Sequence, residues 1–257
     1  MFISNPFAGL SASIPPAVMQ TYVVVMIVLV VAGTLIDVVH KGSAKYFFAN
    51  WRKSKSKGPK QLGGGELASI AIQTVAVDVL TSGEFCNPHR RIAHLLTMYG
   101  FILYVVATVV MVFAYPTPAT PTPGLLSFAW WIGALMVCVG GYWFWFFIRV
   151  DVAAEGNSPF RVVRADLFIL SLLASATLGL IWAAASGGSG VLFGLYILAT
   201  TVLFGSVLWS KFAHMFFKPA AAFEKRVSYA NETRSNLPGP TDKPETFGIA
   251  REQPRHY

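Results

Sequence analysis

Apolar residues run almost unbroken through five stretches, near residues 18–40, 93–115, 125–149, 166–186 and 190–217. Each is apolar around its whole circumference, the pattern of a helix surrounded by lipid or by other helices. Crossing a hydrocarbon core about 30 Å thick takes about 20 helical residues, and every stretch is long enough. Breakers fall between them: Pro15-Pro16 before the first, "YPTPATPTPG" between the second and third, "SGGSG" between the fourth and fifth. A shorter stretch, "ELASIAIQTVAVDVLTS" at 66–82, spaces its apolar residues for a helix lying in the membrane interface. The pattern predicts an all-α integral membrane bundle of five transmembrane helices.

Charge adds an orientation. Residues 1–36 carry no charged side chain, whereas 41–60 hold Lys41, Lys45, Arg52, Lys53, Lys55, Lys57 and Lys60 with no acid. The connections at 116–124 and 187–190 are uncharged, and 149–166 contains Arg149, Arg161 and Arg164. The positive-inside rule then places the N-terminus outside and the C-terminus in the cytoplasm, in a bacterial inner membrane. The expected organisation is a periplasmic segment 1–17, a membrane domain 18–217 with a cytoplasmic connection 41–92, and a cytoplasmic tail 218–257. The first residues, "MFISNPFAGLSASIPPA", lack a basic n-region, so no cleaved signal peptide is expected.

Composition agrees. The chain of 257 residues is 54% apolar and 12% charged, too few charges to solvate a globule of this size. Its net charge of +8 reads as topology, with the lipid bilayer as partner and no nucleic acid. Two cysteines, Cys86 on the cytoplasmic side and Cys138 inside the third span, form no expected disulfide. No CxxCH or CxxC is present, so covalent c-type haem and cysteine-held metal are not expected.

The chemistry then rests on histidine. Of five, His256 belongs to the polar tail, and His40, His89, His94 and His214 gather at the inner ends of spans. His94 sits in the first turn of the second span and His214 in the last turn of the fifth, at matching depth. Two imidazoles on neighbouring helices suit the axial positions of a b-type haem, an electron-transfer centre. Equally, each marks an interfacial helix end, bonding a headgroup or a terminal carbonyl. Arg90 and Arg91 are candidate partners for haem propionates or plain cytoplasmic anchors. Gly100 and Gly205 admit either a ring near the backbone or close helix packing.

The run "LASIAIQTVAVDVLTSGEFCNPHRRIAHLLTMYGFILYVVATVV", with "WSKFAHMFF" far downstream, resembles five-span cytochrome b subunits related to the nitrate reductase gamma chain and the heterodisulfide reductase membrane subunit. The basic first connection and the tail "NLPGPTDKPETFG" look most like the membrane anchors of adenylylsulfate (APS) reductase, proteins of sulfur metabolism. The resemblance implies one haem b with His94 and His214 as the iron's ligands. Two-haem relatives carry a second histidine pair where this chain has Tyr104 and Tyr196, so the outer haem is expected to be missing. A single inner haem suits a quinone reaction on the cytoplasmic side, with His40, Asp37 and His89 as candidate headgroup and proton-route residues, His40 and Asp37 being i−3 neighbours on one helix face; equally they form an interfacial cap or a pair with Lys41. A soluble cytoplasmic flavin/iron–sulfur oxidoreductase, adenylylsulfate reductase by the resemblance, would bring the substrate site, because this chain carries no flavin, dinucleotide or cluster motif.

Asp78 reads as a solvated face residue. The 149–166 connection and the tail, with Pro219, Pro238, Pro240, Pro244 and Pro254, read as partner-docking segments, the tail having no fold of its own. Two rivals remain: a haem-free structural anchor of a redox complex, and a small transporter, against which no span shows a broken helix facing a midplane charge.

Overall fold

The computed structural model describes residues 4–40, 42–85, 87–149, 160–185, 190–209 and 214–233. The described residues contain no strand. Helix α1 (Pro16–His40) opens on a proline whose missing N–H is not needed in a first turn. It stops before Gly42, whose φ of 64° is the left-handed conformation that ends helices. Helix α2 (Ser43–Lys57) and helix α3 (Gly64–Gln73) follow, α3 continuing as a π-helical stretch, Thr74–Leu80. Helix α4 (Pro88–Ala114) begins earlier than its apolar run. Asn87 Oδ1 accepts the backbone N–H groups of His89 and Arg90 at 2.9 and 3.2 Å, and Pro88 supplies the first helical φ.

Helix α5 (Gly124–Trp143) also ends in a π-helical stretch, Phe144–Ile148. Helices α6 (Leu167–Ala184), α7 (Gly190–Gly205) and α8 (His214–Ala230) complete the order. Among the described residues, four helices are long and apolar enough to span a membrane: Pro16–His40, Pro88–Ala114, Gly124–Ile148 and Leu167–Ala184. The described residues are thus helical and strand-free, with apolar helices consistent with a multi-pass membrane protein. The fifth expected span, 190–217, is not one described helix. Its apolar helix α7 has 16 residues, about 24 Å of rise, and gives way at Gly205-Ser206 to a turn over 206–209.

The chain divides into two units, Met1–Leu35 with Ile92–Phe212 and Ile36–Arg91 with Ala213–Tyr257. In the first, α4 and α5 approach at glycines. A Cβ on Gly100 would lie 2.7 Å from the Gly133 carbonyl oxygen, and one on Gly140 2.6 Å from that of Ala93. Such contact leaves dispersion, rather than water exclusion, to bind helices in lipid. Tyr22 ties α1 to α7 through Thr201 Oγ1 at 3.0 Å, and Gln20 donates to the Val112 carbonyl of α4 at 3.3 Å. At the end of α5, Arg149 pairs with Asp166, donates to the Arg161 carbonyl at 2.6 Å and lies 4.0 Å over Trp145. Both side chains of that pair are almost buried, so the two charges balance each other across the ends of the 149–166 connection. Residues 150–159 lie outside the described residues.

In the second unit, α8 is the hub. Trp51 of α2 stacks on Phe223 at 5.4 Å, and Lys60 N–H donates to the Asn231 carbonyl at 3.3 Å. The stretch after the fifth span, expected to lack a fold of its own, is therefore helical through Ala230 even with Pro219 inside it. The proline removes one backbone bond, and packing against α2 and α3 holds the rest. Residues 234–257, with Pro238, Pro240, Pro244, Pro254 and His256, lie outside the described residues.

Candidate functional site

His94 stands in the second turn of α4, half-buried, because the Asn87 cap starts the helix at Pro88. Its neighbour Ala93 is buried against Gly140, and Gly100 is pressed onto Gly133 and Val137 of α5. The Gly100 face is therefore filled by α5 and leaves no gap for a ring. The adjoining stripe of α4 differs. Phe101, two turns beyond His94 on the same side, meets Phe204 of α7 with ring centroids 6.4 Å apart. The next residue of α7, Gly205, has no atom within 4 Å of where a Cβ would lie. The His94 stripe thus runs toward the C-terminal end of α7, where there is space.

The described part of α8 begins at His214, residues 210–213 lie outside the described residues, and the turn over 206–209 interrupts the expected fifth span. It belongs to the second unit and His94 to the first. Cys138 is a free thiol within α5, 3.6 Å from Thr177 Oγ1, and Cys86 lies outside the described residues.

The other candidates fall in the second unit. Arg91 donates through Nε to the Thr81 carbonyl at 2.7 Å, and the Arg90 guanidinium lies 5.8 Å from the Phe85 ring. Lys218 of α8 reaches the same ring at 5.6 Å and pairs with Glu84 at 3.5 Å. The turn 81–85 thereby gathers Arg90, Arg91 and Lys218. It is tight: Ser82 holds a φ of 51°, and a Cβ on Gly83 would lie 2.7 Å from Val77. Asp37 and His40, three residues apart on α1, do not share an environment. Asp37 is 4% exposed, whereas His40 is exposed, as is His89 in the first turn of α4.

Asp78 is not a solvated face residue. It accepts two hydrogen bonds from Arg226, from Nε at 2.5 Å and from Nη2 at 2.9 Å, and its side chain is 10% exposed. The Asp78 carboxylate raises the Arg226 pKa above its ordinary value, first through its hydrogen bond. Sequence spacing gave no signal for this pair. An aspartate within an otherwise apolar stretch was the one available hint.

Tyr104 and Tyr196 do come together. A Cβ on Gly179 would lie 2.8 Å from the Tyr104 hydroxyl and 3.2 Å from Cε2 of Tyr196. Trp182 stacks on Tyr196 at 5.8 Å and 10°, and Trp130 lies 5.3 Å from Tyr104. Phe7 wedges in at 5.8 Å from Trp130 and 5.5 Å from Trp182. Below them Ser175 and Thr200 hydroxyls meet at 2.8 Å. These rings are all buried, so the volume between the two tyrosines is occupied by protein.

Among the described residues, no three His, Cys, Asp or Glu side chains gather as a metal-holding group. A bis-imidazole haem needs only two protein ligands.

No family model matches the chain, and no solved structure does. The chain is similar to citrate utilization protein B of Escherichia coli, 26% identical over 198 residues, which are 68% of this chain and 50% of that protein. It spans about half the length of this curated relative.

Proposed function

We propose that this protein is the haem b-bearing membrane subunit of an oxidoreductase, carrying electrons between membrane quinone and a soluble cytoplasmic enzyme that it anchors. The observation that carries the reading is the Phe101–Phe204 contact, which turns the His94 stripe of α4 toward the open end of α7. His94 and His214 would hold the iron through neutral imidazole nitrogens. Arg90 and Arg91 would face the propionates, guanidinium being suited to carboxylate. The bound haem would supply one-electron transfer at low cost in reorganisation.

The chain's own residues set the rest. The ring-filled region between Tyr104 and Tyr196 supports one haem and not two. Of the quinone candidates Asp37 is buried, while His40 and His89 are exposed. Five spans, the fifth formed around α7, and an N-terminus outside in a bacterial inner membrane complete the reading; the charge asymmetry of the connections supports them. The soluble partner is a flavin/iron–sulfur enzyme, adenylylsulfate reductase on the likeness described above. The name of the E. coli relative offers an enzyme of citrate utilization as the alternative partner.

The deciding experiment is a reduced-minus-oxidised spectrum of the chain purified with whatever accompanies it. A b-type signal lost in both His94→Ala and His214→Ala, with membrane insertion intact, supports the reading. Normal haem content in either variant would refute the ligand assignment, and no b-type signal in the parent protein leaves a haem-free anchor.

A further inference from the structure

We infer that the second unit carries a binding face for anionic phospholipid, made from α2 together with α3 and its π-helical end. The orientation of α3 is fixed from its inner side. Thr74 is buried, donating to the Ile70 carbonyl at 2.8 Å, and Asp78 is held by Arg226. That turns Ile72, Val75, Val77 and Leu80 outward, between 43% and 70% exposed. Helix α2 is fixed in the same way. Phe47 stacks on Trp51, and Trp51 on Phe223 of α8, which leaves Lys45, Phe48 and Arg52 exposed.

Both helices are anchored on one side of α8, at Phe223 and Arg226, three residues apart. The chemistry of the combined face is uneven. From Ile72 to Leu80 its aliphatic part exposes one polar side chain, that of Gln73, and no charge. Its basic part belongs to a run, 41–60, with seven Lys and Arg and no acid, which complements a surface of uniform negative charge. Aliphatic residues at the acyl boundary and guanidinium or ammonium at phosphodiester level describe a leaflet rich in anionic headgroups. The inference is independent of the haem reading.

The test uses the full chain in nanodiscs of phosphatidylcholine, with and without phosphatidylglycerol, followed by hydrogen exchange and by native mass spectrometry for retained lipid. Exchange over 66–80 should be slow in both discs. Exchange over α2 should slow on adding phosphatidylglycerol and recover in high salt. Lys45→Glu and Arg52→Glu should each lower phosphatidylglycerol retention about fivefold or more, without altering that of phosphatidylcholine. Val75→Asp should speed exchange over 66–80 alone, a readout that does not depend on α2. Equal retention of both lipids, unchanged in the α2 variants, overturns the inference. Protection over 66–80 that appears only when soluble protein is added overturns it too, by assigning the face to a protein.

Discussion

Arg226 of α8 and Asp78 of the π-helical end of α3 meet through two hydrogen bonds, 148 residues apart in sequence. The pair is the polar seam of the second unit, Asp78 nearly buried and Arg226 31% exposed. Removing one partner strands the other charge. Asp78→Ala and Arg226→Ala should each destabilise the unit by roughly 1–3 kcal/mol, discounted from a fully buried pair because Arg226 reaches solvent. Proteolytic release of the segment after Gly205 would report it. The double variant should cost less than the sum of the two, as coupled residues do.

Gly205 offers a test of where the haem edge would sit. A Cβ added there has no protein atom within 4 Å, and the same is true of Gly194 on the same helix. Both changes raise helix propensity by about 1 kcal/mol, so neither should unfold α7. Gly205→Leu should lower haem content while Gly194→Leu leaves it unchanged, measured as haem per protein after purification. Equal content in both variants would show that the space beside Gly205 faces lipid only.

The Gly100–Gly133 approach is the opposite case. A methyl group on Gly100 would press on the Gly133 carbonyl, the Met136 Cβ and the Val137 nitrogen, all within 2.8 Å. Backbone cannot rotate away as a side-chain tip can. Gly100→Ala should therefore force α4 and α5 apart and destabilise the first unit by about 1–3 kcal/mol, read from unfolding in mixed detergent micelles.

These helices were legible in the apolar runs because lipid demands all-round apolarity over a fixed length, which few other structures need. Boundaries were less so. The Asn87-Pro88 cap was present in the sequence, yet hydropathy alone sets the start of α4 near residue 93. The break after Gly205 was hidden because "VLWSKFAHMFF" remains apolar, and hydropathy does not distinguish one long helix from two. Asp78 was misplaced for a different reason. Its partner lies in a segment whose prolines argue against folding, and only packing on α2 and α3 makes that segment helical. The tyrosines at 104 and 196 are 92 residues apart in sequence, and only helix packing brings them together at Gly179.

The start of α3 responds to pH in a direction that the geometry sets. Glu66 accepts from Lys60 Nζ at 2.8 Å and from the Gly63 N–H at 2.9 Å, the second bond capping the helix. Both lower the Glu66 pKa below the ordinary carboxylate value, the Lys60 bond most. Lys60 is raised in turn, first by the same bond. A depressed carboxylate contributes stability that is present above its unfolded pKa and lost as pH falls through the folded one. A raised lysine contributes below its unfolded pKa and loses this as pH climbs through the folded one. The cap should therefore hold at neutral pH, weaken in acid beyond the ordinary glutamate range, and lose its lysine support in strong base. Amide exchange at Gly63–Leu67, corrected for its intrinsic pH dependence, should show the acid limb in the parent protein. Glu66→Gln, which cannot ionise, should remove that limb; an identical limb in the variant would mean that another group governs it.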